Sequence, residues 1–164
     1  MMILVLISLT TVLALLDIAM KSVIEGYLKQ GEERTTCGGR LILRKVYNRG
    51  FCLNVLEKKP QIVKYVSAFT TVILTIYQLC TLLGRGKNGK KIGLSLLAAG
   101  AWSNTFDRWG RGYVIDYIGI QTGHEKMTRI TYNLGDFCIA AGGVTMVLAD
   151  LLSGLLKSGR RTNS

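Results

Sequence analysis

Apolar residues dominate four long runs of the sequence, at positions 1–27, 65–84, 92–106 and 137–156. A helix that crosses a bilayer needs about 20 mostly apolar residues. The run at 92–106 is short, so we expect this helix to extend by a turn at each end or to tilt. The pattern predicts an all-α membrane protein with four transmembrane helices.

Two segments between the apolar runs carry turn signals followed by residues that favour strands. The segment "GGRLILRKVYNRGF" opens on a Gly-Gly pair, and "GRGYVIDYIGIQTG" opens on a glycine-rich turn. The branched and aromatic side chains that follow predict a strand or hairpin in each segment. We expect a small extracytoplasmic β-cradle on the membrane surface. The alternative is an amphipathic surface segment without strand pairing.

The composition indicates a membrane protein with one domain. Of the 164 residues, 49% are hydrophobic, and the mean hydropathy is +0.30. One proline and no low-complexity tract leave no sign of a linker, so we expect a single integral membrane domain over 1–164. The net charge of +11 indicates membrane lipids as partners, through their anionic headgroups. Because the basic residues are not interleaved with stacking aromatics, we expect no nucleic-acid partner.

The basic residues near the helix ends predict the orientation in the membrane. "RGKNGKK" at 85–91 has four positive charges and no acid, and the tail "KSGRRTNS" has three positive charges. Such segments favour the cytoplasmic side, so both termini should be cytoplasmic. The segments 25–61 and 107–133 then face outward. The first of these is itself basic, but long loops weigh less in this rule.

The first apolar run could instead be a cleaved signal peptide. It has no basic residue before the apolar stretch and no small-residue cleavage site. Asp17 and Lys21 lie four positions apart and therefore share one helix face. A buried pair of opposite charges favours a permanent membrane helix over a discarded one.

The cysteines and the single histidine give no metal-site pattern. No two of Cys37, Cys52, Cys80 and Cys138 have CxxC spacing, and His124 is the one histidine. We therefore expect no metal and no other cofactor. Cys80 and Cys138 sit in apolar runs as small core residues. Cys37 and Cys52 fall in one loop and are either two free thiols or, in an oxidising space, a disulfide.

Several polar residues are predicted to lie at membrane depth near the outer helix ends. An ionisable group in the bilayer is costly and marks a functional site by default. In the predicted topology these residues converge on one layer, and they are Asp17, Lys21, Asn104, Asp107, Arg108, Asp116, Asn133 and Asp136.

Two carboxylates without a metal or a nucleophile indicate acid–base chemistry on water. When two carboxyl groups lie close together, like charge prevents both from ionising, so one can act as base and the other as acid. The alternative is that the acids only neutralise Lys21 and Arg108 as buried ion pairs.

Five short motifs resemble lipoprotein signal peptidase, the signal peptidase II family of intramembrane aspartyl proteases. They occur in the order "DIAMK", "YNRGF", "SNTFDR", "VIDY" and "YNLGD" over nearly the whole chain. The resemblance implies a four-helix bundle with Asp116 and Asp136 as the catalytic pair and Asp107 as a supporting acid. It further implies that other polar positions shape the site and orient the substrate, namely Asp17, Lys21, Asn48, Gly50, Asn104, Arg108 and Asn133.

The resemblance also implies the reaction and its location. The enzyme would remove the signal peptide from diacylglyceryl-modified prolipoproteins, cutting before the lipid-modified cysteine, at the outer face of the bacterial cytoplasmic membrane. Which aspartate is the acid is left open, because a coupled pair titrates as a unit. The alternatives are a small membrane carrier or proton-coupled transporter, and a non-catalytic prolipoprotein binder. Asp150 has no role in the resemblance, and we expect it to reach the cytoplasmic side or to pair with Lys157.

Overall fold

The computed structural model describes residues 1–36, 38–51 and 55–161, the last six as main chain only. The expectations for Cys37 and Cys52 lie outside the described residues. Cys138 is buried as expected, whereas the expectation of a core position for Cys80 is wrong, because its side chain lies on an exposed face of its helix. The described elements are α1 (Met2–Tyr27), β1 (Glu33–Thr36), β2 (Leu41–Asn48), α2 (Pro60–Leu83), α3 (Asn88–Gly110), β3 (Val114–Ile120), α4 (Glu125–Thr128), β4 (Thr131–Tyr132) and α5 (Leu134–Arg161).

Long helices form at all four predicted apolar runs. Among the described residues, three are long and apolar enough to cross a membrane: Met2–Tyr27, Pro60–Leu83 and Leu134–Leu155. The helix α3 is longer than the predicted run by a turn at each end, as expected for a short apolar stretch. It is less apolar because it lies at the centre of the bundle, where it contacts α1, α2 and α5 and buries polar side chains.

Glycines allow α3 and α5 to approach each other with their main chains nearly in contact. A Cβ on Gly142 would lie 2.6 Å from the carbonyl oxygen of Gly93, and a Cβ on Gly100 would overlap the carbonyl oxygen of Gly135. Small residues at such positions are typical of tightly packed membrane helices. This packing fixes the end of α3 beside the beginning of α5.

The two predicted strand segments pair with each other in a four-stranded antiparallel sheet of order β1-β2-β3-β4. Val46 lies opposite Asp116, and Asn48 lies opposite Val114. The alternative of an unpaired surface segment is therefore wrong. The short elements β1, β4 and α4 were not predicted, because β1 is polar and fully exposed and the other two have no more than four residues.

A small apolar core attaches the sheet to the helix bundle. The side chains of Ile24 and Leu28 at the end of α1 pack with Ile115 and Tyr117 of β3. Leu134 at the beginning of α5 packs against the same core. The sheet therefore lies at the end of the bundle where α1 and α3 finish and α5 starts.

Candidate active site

Asp116 and Asp136 are brought together by the sheet and the beginning of α5. Asp116 lies in the middle of β3 and is 5% exposed. Asp136 lies in the first turn of α5 and is half-buried. A strand and a helix that the chain connects through 13 residues, 121–133, thus supply one carboxylate each.

Asn133 contacts both carboxylates. Its side-chain Nδ2 donates to Asp116 Oδ1 at 2.7 Å, and its backbone N–H donates to Asp136 Oδ2 at 3.1 Å. The Asn133 Oδ1 atom accepts from the backbone N–H of Asp136 at 2.9 Å. This reciprocal pattern is a capping box, in which the residue before a helix and the residue three positions later satisfy each other's N–H groups. The cap of α5 therefore also sets the position of the two acids.

Two further asparagines occupy the remaining carboxylate oxygens. Asn48 Nδ2 donates to Asp116 Oδ2 at 3.1 Å, and Asn104 Nδ2 donates to Asp136 Oδ1 at 3.0 Å. Within the part of the chain that the structure describes, neither carboxylate forms an ion pair. Burial and the nearby charge of Asp136 raise the pKa of Asp116 to about 7. This carboxyl group can therefore hold a proton near neutral pH.

Asp17 and Asp107 have a different environment, because both pair with the fully buried Lys21. The Lys21 ammonium lies 2.8 Å from Asp17 Oδ2 and 3.3 Å from Asp107 Oδ2. Lys21 also donates to Asn104 Oδ1 at 2.7 Å, which directs the Asn104 amide nitrogen toward Asp136. The alternative that the acids only neutralise cations thus describes Asp17 and Asp107, and it does not describe Asp116 and Asp136.

Arg108 contacts main-chain oxygens and does not neutralise an acid within the described residues. Its Nη2 atom donates to the Gly50 carbonyl at 2.8 Å, and Nη1 donates to the Asn104 carbonyl at 3.2 Å. The Gly50 N–H in turn donates to Asn48 Oδ1 at 3.0 Å. Gly50 therefore joins Arg108 to the asparagine that holds Asp116, and the whole predicted set meets at one end of the bundle.

Three contacting residues were not singled out from the sequence as members of the site. The Tyr117 hydroxyl donates to Asp17 Oδ1 at 3.0 Å, and burial beside Asp17 raises its pKa above the usual range. Ser103 Oγ donates to Asp17 Oδ2 at 2.6 Å, and Arg111 pairs with Asp107. Arg111 lies four positions after Asp107, and this spacing could have revealed the pair. The strand pattern gave no such signal for Tyr117.

Asp150 lies at the other end of the bundle. It pairs with Lys90 at 2.9 Å and its side chain is 59% exposed. The partner of Asp150 is thus a basic residue of α3, close to the positive segment at 85–91, and the pair is remote from the acids described above. The side chain of Lys157, the partner considered from the sequence, lies outside the described part.

A cavity of about 500 Å³ opens beside Asp136. Residues of α2, α3 and α5 line it, together with residues of the strand β4. Asp136, Asn104 and Arg108 make one polar region, and apolar side chains such as Phe137 and Ile139 line much of the remainder. The cavity can thus present a mainly apolar ligand to a carboxylate.

Comparisons with known proteins show which family the sequence resembles. The family model described as Signal peptidase (SPase) II matches residues 9–152. The lipoprotein signal peptidase of Caldicellulosiruptor bescii is 36% identical over 118 residues, which cover 71% of each protein. That of Lactiplantibacillus plantarum is 27% identical over 139 residues, which cover 85% of this chain and 89% of the relative.

Two solved structures share the fold. They are bacterial membrane enzymes determined by the in meso method at 2.3 and 1.9 Å resolution, with TM-scores of 0.79 and 0.75 and 21% identity each. The matches cover 92% and 90% of this chain, and 89% and 92% of the respective structures. Because the family model matches most of the sequence, the chain belongs to the signal peptidase II family.

Proposed function

We propose that this protein is an aspartic endopeptidase that removes the signal peptide from diacylglyceryl-modified prolipoproteins, cutting before the lipid-modified cysteine. The observation that carries the proposal is the pair Asp116 and Asp136, which share Asn133 and are held by neutral donors, with Asp136 on the wall of the cavity. The relatives named lipoprotein signal peptidase support the choice of substrate.

The chemistry follows from two carboxyl groups that share one proton. An ionised aspartate takes a proton from water, and the resulting hydroxide attacks the peptide carbonyl. The protonated aspartate donates a hydrogen bond and then a proton to the developing oxyanion. The tetrahedral intermediate collapses as the aspartate that took the proton of water gives it to the leaving amine and the other aspartate takes back the hydroxyl proton. Each carboxyl group thus has a defined task that does not need a metal.

The environments of the two aspartates support an assignment of roles. Asp136 lies in the first turn of α5 and accepts the backbone N–H of Asn133, and both features favour a negative charge. Asp116 is buried in the sheet, and its pKa is raised to about 7. Asp136 is therefore the general base, and Asp116 is the general acid.

The orientation in the membrane forms part of this proposal. The basic segment between α2 and the first turn of α3 lies in the cytoplasm. The helix α3 crosses the membrane in addition to α1, α2 and α5, which gives four transmembrane helices. Both termini are then cytoplasmic, and the acids lie at the outer face with the sheet. Large apolar side chains exposed along α1, α2 and α5, such as Leu4, Phe69 and Val144, contact membrane lipids. A nucleic-acid partner has no role in this function.

The two alternatives fit these observations less well. A proton-coupled carrier would place its polar residues near the middle of the bilayer, whereas here they gather at the end of the bundle that carries the sheet. A non-catalytic prolipoprotein binder would not need two carboxylates that are joined by one asparagine, with one of them on the cavity wall. Cleavage by the purified protein separates the three functions.

The test is substitution of each proposed catalytic aspartate by asparagine. Purified Asp116→Asn and Asp136→Asn variants should lose at least about 1,000-fold in the rate of cleavage of a diacylglyceryl-modified prolipoprotein in detergent, with an unchanged melting temperature. Asp150→Asn is the matched control, because Asp150 is exposed and remote, and it should cleave at the wild-type rate. Near-normal cleavage by either of the first two variants would remove the proposal.

A further inference from the structure

Three buried polar atoms on the cavity wall lack a hydrogen-bond partner within the described part of the chain. They are Ser67 Oγ on α2, Arg108 Nε on α3 and Thr131 Oγ1 on β4. A buried donor without a partner costs about 1–3 kcal/mol. Three such atoms around one cavity indicate that a bound molecule satisfies them.

Ser67 is a buried hydroxyl residue of α2 that does not bond to its own helix. Serine and threonine in a helix often donate to the carbonyl oxygen four residues earlier. This bond is formed by Thr11, Ser22, Thr75, Thr145 and Ser153. Ser67 is 8% exposed and lines the cavity, and its hydroxyl has no hydrogen-bond partner among the described residues.

Thr131 occupies the matching place on the sheet. It lies in β4, the last strand of the order β1-β2-β3-β4, and pairs with Gly119 of β3. Ile130, Thr131 and Tyr132 all border the cavity. The hydroxyl of Thr131 is thus a second donor on a wall different from that of Ser67.

The nature of these atoms specifies what the ligand must offer. Arg108 Nε is an N–H donor that cannot accept, and the two hydroxyls can also donate. A set of donors in a mainly apolar cavity suits a ligand rich in carbonyl oxygens. A lipid-modified prolipoprotein has two kinds next to the scissile bond, namely peptide carbonyls and the ester carbonyls of the diacylglyceryl group.

We propose that Ser67 and Thr131 bind the substrate by donating hydrogen bonds to carbonyl oxygens beside the scissile bond. This inference rests on the proposed function, because it names the groups of the substrate that the same cavity receives. Each hydroxyl is a binding residue, and neither takes part in proton transfer. In a site from which water is excluded, both carbonyls would be unpaired without these donors.

The experiment compares KM and kcat for Ser67→Ala and Thr131→Val with the wild type. Each substitution should raise KM about 3- to 10-fold, the value of one neutral hydrogen bond, and change kcat by less than about twofold. Ser67→Thr and Thr131→Ser keep a hydroxyl and should restore KM. Ser153→Ala is the matched control, since its hydroxyl bonds its own helix, and it should keep the wild-type KM.

A second substrate identifies the carbonyl. In a dialkylglyceryl substrate, ether links replace the ester groups and remove the two ester carbonyls. If Ser67 binds an ester carbonyl, Ser67→Ala should no longer raise KM with this substrate. If Ser67 binds a peptide carbonyl, the increase should persist. The same comparison applies to Thr131→Val.

Two results would overturn this inference. One is an unchanged KM for both Ser67→Ala and Thr131→Val. The other is a lowered melting temperature with a proportional loss of kcat, which indicates a structural role. The proposed function fails separately, through active Asp116→Asn or Asp136→Asn proteins. The dissociation constant of uncleaved substrate for Asp136→Asn, with and without Ser67→Ala, measures binding independently of the chemistry.

Discussion

Four buried or half-buried aspartates meet at the same end of the bundle, yet they form two groups with different partners. Asp17 and Asp107 pair with the ammonium of Lys21. Asp116 and Asp136 accept hydrogen bonds from Asn48, Asn104 and Asn133. The first group has charges that compensate one another, and the second group has none within ion-pair distance among the described residues.

The difference separates two carboxylates that are held in ion pairs from the two that we propose carry out the chemistry. A carboxylate paired with a buried cation is held in place by an electrostatic constraint, the attraction between the two charges. A carboxylate held by amides keeps its position without that electrostatic constraint. Lys21 nevertheless serves both groups, because it orients the Asn104 amide that contacts Asp136.

The largest effect on stability is expected when the cation of the first group is removed. In Lys21→Met, Asp17 and Asp107 stay buried without compensation, which should lower the free energy of unfolding by about 3–5 kcal/mol. The melting temperature in detergent measures this loss. Lys90→Met removes an ammonium from the exposed pair with Asp150 and should cost less than about 1 kcal/mol. Equal melting temperatures for the two variants would contradict the structural role of Lys21.

Removing the residue that joins the second group should affect cleavage more than stability. Asn133→Ala deletes the amide that donates to Asp116 and the acceptor that caps α5. The cleavage rate should fall about 100-fold, as for a misplaced catalytic group, while the protein still folds. Asn88→Ala, an exposed asparagine at the other end of the bundle, should keep the wild-type rate. A Asn133→Ala protein with full activity would separate Asn133 from the site.

The pH dependence distinguishes the two groups by titration. Asp116 must be protonated to act as the acid, and its pKa is about 7, so kcat should fall about fivefold between pH 7 and pH 8.

The folded protein holds the proton of Asp116 more tightly than the unfolded chain, whose carboxyl titrates near 3.8. The stability that Asp116 contributes is therefore present below about pH 4 and is lost as the pH rises to about 7. Asp116→Asn should remove this part of the dependence of the melting temperature on pH, and an unaltered curve would contradict the assignment.

The smallest effect on cleavage is expected when Arg111, which contacts the first group through Asp107, is changed. Arg111 pairs with Asp107 and Glu25, but Asp107 keeps Lys21 when Arg111 is changed. Arg111→Gln should lower kcat only about two- to threefold and leave KM unchanged. Arg129→Gln, which breaks an exposed pair with Glu125, should have no measurable effect on cleavage. A loss at Arg111 as large as that at Asn133 would show that the two groups are not separable.

The sequence predicted the helices and the two main strands because long apolar runs and turn-bounded branched residues are strong local signals. It could not predict the order of the sheet or the central place of α3, whose polar face is explained by packing against three other helices. The strands β1 and β4 carry too few apolar residues to form a pattern.

For the site, the sequence indicated which residue types gather, but it did not indicate which contacts they make. The alternative of buried ion pairs placed Arg108 beside an acid, whereas in the structure Arg108 donates to the carbonyls of Gly50 and Asn104. The sequence did not predict Tyr117 as a site residue, because a buried aromatic residue in a strand is usually part of an apolar core. Hydrogen-bond direction depends on the fold and is not encoded in local spacing.

The contact between the main chains at Gly100 and Gly135 has a consequence for how a lipid-anchored polypeptide reaches the acids. Because no side chain lies between the two glycines, α3 and the start of α5 form one rigid unit, which carries Asn104 and Asp136. The cavity is lined by side chains of both α2 and α5, so a substrate that entered from the bilayer between these two helices would leave the carboxylates in place.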